Sequence, residues 1–137
     1  MQSGDGEFSI PLLVNYEDTD AGGVVYYGNY LAYMERARNA FLRSKGFPLS
    51  MLTRDHQILF VVTEASLRYL LPAKLDDELE ITLDVSKIRG ASVQFHHQVR
   101  RGREILVDGV IMLAVLNSET FQPRRIPDFL RDCFHAD

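Results

Sequence analysis

Only one long stretch of this chain repeats apolar residues at helical spacing. From Asn29 to Lys45, Tyr30, Tyr33, Met34, Ala37 and Phe41 share a face, and Glu35, Arg36, Asn39 and Arg43 take the other. Asn29 can N-cap this helix, Gly46 stands where a C′ glycine belongs, and Pro48 forbids continuation. Everything after it reads as strand. Ile58 to Tyr69 begins apolar and then alternates. Leu79, Ile81, Leu83 and Val85 alternate with Glu78, Glu80, Thr82 and Asp84; Val93, Phe95, His97 and Val99 alternate with Gln94, His96 and Gln98. Val107 to Leu116 is apolar at nearly every position, which predicts a strand covered on both faces. Ahead of the helix, Phe8 to Tyr16 predicts a first strand that Pro11 confines to an edge or a bulge.

One amphipathic helix has one stripe to bury, and a sheet of alternating strands has one face to bury. The order strand, helix, then four strands joined by short turns at Arg89-Gly90-Ala91 and Arg101-Gly102-Arg103 therefore predicts an α+β fold. Its sheet is antiparallel, five-stranded and curved, with the helix across the concave side. Such a sheet keeps open edges, which predicts pairing with a second copy. A length of 137 residues suits a single domain over 1–137, with residues 1–6 as a flexible tail.

Composition narrows the function classes. Cys133 is the only cysteine, so no internal disulfide can form and a reducing compartment is expected. It lies close to the C-terminus, where an incidental thiol in a fraying tail is expected. The start is polar and acidic, unlike a signal peptide, and no apolar run approaches the roughly 20 residues of a membrane span. A soluble, cytoplasmic protein is expected. The net charge of −4 argues against nucleic acid as a partner. The charge is uneven, however: Lys87, Arg89, Arg100, Arg101 and Arg103, with His96 and His97, share a stretch without an acid. Charge alone reads this as a solvated hairpin rim; a seat for an anionic ligand is the sharper reading.

Several catalytic sets are absent: there is no Gly-x-Ser-x-Gly elbow, P-loop or Gly-x-Gly-x-x-Gly. His96 and His97 are neighbours on a strand, so they point to opposite faces and cannot chelate one metal together. The dense segment is Tyr16-Glu-Asp-Thr-Asp-Ala-Gly-Gly-Val-Val-Tyr-Tyr-Gly-Asn-Tyr30. Glycines let the backbone approach a ligand, and the helix that follows aims unpaired N–H groups and partial positive charge at it. Such a site can hold a developing oxyanion while a carboxylate attacks or activates water. Two other readings stand beside this one: a tight turn capped by Asp18 and Asp20, and a divalent-cation site on the Asp-x-Asp pair.

The same residues resemble a known family. Tyr16-Glu-Asp-Thr-Asp20-Ala-Gly-Gly-Val-Val-Tyr26, with Tyr30 and Glu35-Arg-Ala-Arg38, is similar to the signature of hotdog-fold thioesterases of the 4-hydroxybenzoyl-CoA thioesterase type, in the branch associated with bacterial Tol–Pal gene clusters. The likeness continues through Phe60-Val-Val62, Tyr69-Leu-Leu-Pro-Ala73, Leu75-Asp-Asp77, Arg89-Gly-Ala-Ser92 and Pro123-Arg-Arg-Ile-Pro127. It implies the hotdog fold, a curved five-stranded antiparallel sheet wrapped around one long helix, assembled as homodimers or homotetramers with active sites between subunits. It implies hydrolysis of acyl-CoA, with Asp20 as the catalytic carboxylate, either nucleophile or general base, and the backbone N–H of Tyr27 polarising the carbonyl beside Gly28 and Asn29. It assigns Lys87, Arg89, Ser92 and Arg124 to the CoA phosphates. No metal or cofactor is implied, since coenzyme A is part of the substrate.

One departure concerns Tyr27, where the branch usually has His. A phenol with a pKa near 10 is a poor base at neutral pH, so Tyr27 is expected to act through its backbone. Glu64 is the reserve carboxylate, and Glu35 is read as a solvated or ion-paired helix acid. The rivals are a hotdog dehydratase, which needs a His near the loop that this chain lacks, and a non-catalytic module binding acyl-CoA or acyl carrier protein.

Overall fold

The computed structural model describes residues 7–135; the predicted tail over 1–6 lies outside them. Strand β1 spans Phe8–Leu13 and leads through a 3-10 turn at Tyr16–Asp18 to helix α1, Asn29–Ser44. Helix α2 (Leu49–His56) precedes β2 (Ile58–Tyr69), β3 (Glu78–Arg89), β4 (Ser92–Arg101), β5 (Glu104–Asn117) and helix α3 (Asp128–His135). The five strands form one sheet in the order β1-β3-β4-β5-β2, every pair antiparallel. Pro11 sits on the edge strand β1, where its missing N–H costs no ladder bond.

Helix α1 buries Tyr30, Tyr33, Met34, Ala37, Phe41 and Leu42, the predicted stripe, against Ile81, Leu83, Phe95 and Ile111 of the sheet. Each such side chain contributes roughly 1.5–3 kcal/mol by leaving water. The helix can approach closely because residue 109 is glycine: a Cβ there would stand 2.8 Å from Met34 Cε. It rests on β3 and β1 and leaves a seam toward the edge strand β2.

Four expectations need correction. Pro48 ends the predicted helix but opens α2, which is closed at Gln57 in the left-handed region (φ 55°). The strand-only reading of the later chain also missed α3, whose Leu130, Cys133 and Phe134 are buried. Phe134 stacks on Phe41 at 6.4 Å between centroids, so Cys133 belongs to the core and not to a frayed tail, and burial pushes its thiol up. Asn29 is the first helical residue; Gly28 holds the N-cap position. Finally, β5 buries one face, through Val107, Ile111, Leu113 and Val115, while Asp108, Val110, Met112 and Ala114 on the other are only half-covered. No helix among the described residues is long and apolar enough to cross a membrane.

Candidate active site

The segment between β1 and α1 is built around two aspartates with different tasks. Asp18 Oδ2 accepts the N–H of Asn15 at 2.9 Å, and Thr19 Oγ1 donates to Tyr16 O at 2.7 Å, which closes the 3-10 turn. That carboxylate is a cap. Asp20 is exposed at the head of a tight turn: its N–H donates to Val24 O (2.9 Å), and Gly23, at φ 80°, returns its N–H to Asp20 O (3.1 Å). Asp20 Oδ1 accepts the Gly22 N–H at 2.8 Å. Its Oδ2 has no partner among the described residues. With Asp18 engaged locally, the two carboxylates do not act as a pair, and no group of three or more His, Cys, Asp or Glu among the described residues is placed to hold a metal ion.

The start of α1 is tied to this turn through one atom. Asp18 O accepts both the Tyr26 N–H (3.0 Å) and the Asn29 side-chain amide (2.8 Å). From the other side Val25 N–H bonds Ala73 O (2.9 Å), and the Tyr30 hydroxyl accepts the Ala73 N–H (3.2 Å). Asn29 and Tyr30 give their N–H groups to Tyr26 O and Tyr27 O, which leaves those of Tyr27 and Gly28 without a partner among the described residues. They stand just ahead of a 16-residue helix, at the end where the peptide dipoles favour negative charge. A Cβ on Gly28 would lie 2.9 Å from the exposed Tyr26 ring, which would have to shift. Asp20 thus lies in the turn that Asp18 O ties to the helix start, where Tyr27, Gly28 and Asn29 stand.

Aromatic side chains surround the donors. The Tyr27 ring is exposed and packs against Tyr26 (4.7 Å) and Tyr69 (6.5 Å). A groove of about 290 Å³ runs beside it, lined by Val25, Tyr27, Tyr30, Tyr69, Leu70 and Leu71. Tyr33 Oη is buried beneath the site without a hydrogen bond among the described residues; burial first, then the Asp18 charge, push its ionisation upward.

The predicted phosphate residues are elsewhere. Arg89 and Ser92 face each other across the β3–β4 turn, with Lys87 two residues back. The loop between β1 and α1 contacts the opposite end of β3: Leu75 N–H bonds Gly23 O and Asp76 N–H bonds Val14 O just before Glu78. Roughly 36 Å of extended strand separates those ends. Arg124 lies near the turn, since Ile126 N–H bonds Gly90 O, but its guanidinium donates to His56 O at 2.7 Å and closes α2. The acid-free stretch is also not one patch. Lys87 and Arg89 sit at one end of β4, and Arg100 and Arg101 at the other, paired with Glu7 and with Asp77 and Glu104. Burial alone would raise the Asp77 carboxyl, but the Lys74 N–H and Arg101 hold it below its usual range.

Glu64 is exposed beside a bulge in β2, and Glu35 is exposed on α1 well past the loop. His96 and His97 do face opposite ways. His96 Nε2 meets Asp108 Oδ1 at 2.7 Å on the outer side. His97 is fully buried; its Nδ1–H donates to Thr82 O (2.8 Å) and Nε2 accepts from Arg38 Nη1 (3.1 Å). Burial, foremost, pulls the His97 pKa down to about 3, so the ring is neutral near pH 7. Sequence reading missed this pair. An arginine among the apolar positions of α1, opposite a histidine in an alternating strand, was the available signal.

Residues 14–134 match the family model described as the thioesterase-like superfamily, which covers loop, helix and sheet together. The chain belongs to the thioesterase-like superfamily. It is 37% identical over 131 residues to a Haemophilus influenzae protein named acyl-CoA thioesterase YbgC, covering 96% of both chains. It is 38% identical over 121 residues to the acyl-CoA thioester hydrolase YbgC of Escherichia coli O6:H1, covering 88% of this chain and 90% of that one. Among solved structures, a probable thioesterase from Bartonella henselae superposes with a TM-score of 0.84 at 32% identity, over 88% of this chain and 99% of the other. A 1,4-dihydroxy-2-naphthoyl-CoA thioesterase from Synechocystis reaches 0.88 at 18% identity over 96% and 97%, which shows the shared hotdog fold. The resemblance read from the loop motif is thereby borne out for family and fold.

Proposed function

We propose that this superfamily member hydrolyses acyl-CoA, taking acyl-S-CoA and water to a free acid and CoA. One observation carries the reading: Asp18 O accepts the Tyr26 N–H and the Asn29 side-chain amide, which ties the turn that presents the exposed Asp20 carboxylate to the helix start, where the N–H groups of Tyr27 and Gly28 have no partner among the described residues. The thioester carbonyl oxygen accepts from those donors, and the helix dipole stabilises the charge that develops on it. Asp20, with Oδ2 free, attacks the carbonyl carbon or takes a proton from the attacking water. The thiolate leaves and is protonated to CoA; where Asp20 is the nucleophile, water then cleaves the acyl–aspartyl anhydride to release the free acid and regenerate the carboxylate. The groove beside Tyr27 supplies an apolar wall to the substrate. The names of the relatives support the same substrate class.

Arg89, Ser92 and Lys87 lie at the far end of the sheet from Asp20, so we infer that they serve the loop of a second copy. The unpaired edge of β2 and the open seam above it are where that copy docks, as a homodimer or a larger assembly. The deciding experiment follows free CoA thiol from short, long and aromatic acyl-CoAs with wild type and Asp20→Asn. Turnover by wild type that collapses in the variant is expected. Equal rates would remove Asp20 from the mechanism; no turnover with any thioester would make the protein a binding module.

A further inference from the structure

Arg38 is 92% buried, yet no carboxylate among the described residues lies within salt-bridge distance of it. Its one hydrogen-bond partner is the neutral His97, through Nη1. A buried guanidinium with only a neutral partner is costly, because Coulomb attraction does not offset its lost hydration. Burial lowers its pKa only to about 10, so it keeps its charge near pH 7. Nε and Nη2 make no bond to protein among the described residues, and neither is sealed against apolar atoms. Arg38 lines a cavity of about 120 Å³ between α1, α2 and β2, whose walls include Leu42, Leu49, Ile58, Phe60 and Phe134.

Position along the helix connects this cavity to the chemistry. Asn29, at the donor end of α1, and Arg38 are nine residues apart, about 13 Å along the axis. The groove beside Tyr27 lies between α1 and the end of β2, and the Arg38 cavity between α1 and its beginning. Both lie along the seam that α1 leaves toward β2, so a chain attached at the loop can follow the seam to Arg38. Glu35 is the other charge on the cavity wall; it is exposed, and solvent and salt screen it.

We propose that the Arg38 cavity is the distal end of the acyl site and takes a carboxylate, so that the substrate class is a medium-length acyl-CoA bearing a terminal carboxyl group. This deepens the thioesterase reading and rests on it. Planar carboxylate matches the two free faces of the guanidinium fork, and apolar walls fit the methylenes before it. His97 acts as a positioning residue: its Nδ1–H is held by Thr82 O, which presents Nε2 as the acceptor that orients Arg38.

The test compares kcat/KM for acyl-CoAs of equal chain length ending in methyl or carboxyl, and calorimetric binding of free octanedioate against octanamide, which has no carboxylate. Wild type is expected to favour the carboxyl end by roughly 10- to 100-fold, the worth of a charge-assisted bond. Arg38→Met should abolish or invert that preference while still hydrolysing the methyl series, and Arg38→Lys should keep part of it. Equal wild-type rates for both series overturn the proposal without any variant, as does an Arg38→Met that lowers both series alike. Saturable octanedioate binding with no hydrolysis of any acyl-CoA would leave the subsite standing and remove the thioesterase reading.

Discussion

Gly22 gives its backbone N–H to Asp20 Oδ1 at 2.8 Å, and this bond sets where the carboxylate points. The same glycine has no room to spare on that side: a Cβ would stand 3.3 Å from Oδ1. Its φ is not in the left-handed region, so alanine fits the backbone and the carboxylate is what must give. Gly22→Ala should leave the melting temperature nearly unchanged and lower kcat about tenfold, as a displacement of a few tenths of an ångström at a reacting group does. Thermal unfolding and thiol release on one preparation check it; equal loss of stability and activity would contradict the assignment.

Asp20→Asn and Tyr27→Phe separate side-chain from backbone roles. Asparagine keeps an oxygen for the Gly22 N–H, so the turn survives, but it cannot act as a base or anionic nucleophile. A fall of about 10²- to 10⁴-fold in kcat is expected. The Tyr27 hydroxyl neighbours that of the exposed Tyr26, whose ionisation it pushes up, and its ring packs on Tyr26 and Tyr69, as phenylalanine can. Tyr27→Phe should therefore retain most activity. A loss as deep as that of Asp20→Asn would show that the phenol, not the N–H, does the chemistry.

What sequence revealed and what it hid follow from the range of the interactions. Helix α1 and the alternation of β3 and β4 are local patterns, and the stripe from Tyr30 to Phe41 is buried as its spacing requires. The loop was legible because Asp20, Gly22, Gly23 and Gly28 answer to contacts within a few residues. Helices α2 and α3 are eight residues each, too short for periodicity to stand out from a strand, and Phe134 is helical because Phe41 and Phe95 receive it. The sequence assigns Arg38 to neither face of the helix; His97, 59 positions away, is its hydrogen-bond partner inside the fold. The basic stretch misled because sequence proximity along a 10-residue strand places its ends at opposite edges of the fold.

His97 makes stability depend on pH. Its pKa falls from 6.5 to about 3 on folding, because burial disfavours the imidazolium. Between those values the unfolded chain binds the proton and the folded one does not. The contribution is therefore complete above pH 6.5 and is lost as pH falls toward 3, at about 1.4 kcal/mol per pH unit. His97→Gln keeps an acceptor for Arg38 and a donor for Thr82 O but cannot titrate. Denaturant unfolding from pH 7 to 4 should give a shallower loss for the variant, by one proton. Parallel curves would mean that His97 is charged in the fold.

Arg89 tests the phosphate assignment without touching chemistry. If it holds CoA phosphate, Arg89→Ala should raise KM about tenfold for acyl-CoA and leave kcat unchanged, since a charge-assisted bond is worth roughly 1.5–3 kcal/mol. The same variant should match wild type on acyl-pantetheine, which lacks the nucleotide. A KM rise shared by both substrates would place Arg89 in the structure of the β3–β4 turn instead.

The edge of β2 decides whether one chain suffices. Among the described residues its 12 positions pair only with β5, and Val61 and Val62 remain exposed on it. A long apolar edge is a template for another strand, and a lysine there blunts pairing. Val61→Lys changes a partly exposed side chain, so the folded chain should lose no more than about 0.5 kcal/mol. In sedimentation, wild type should run as a dimer or larger and the variant as a monomer. Because Arg89 and Ser92 stand at the far end of the sheet from Asp20, the monomer should lose most of its acyl-CoA hydrolysis, and activity should return as protein concentration drives reassociation. A monomer that hydrolyses acyl-CoA at the wild-type rate would show that each chain carries its whole site.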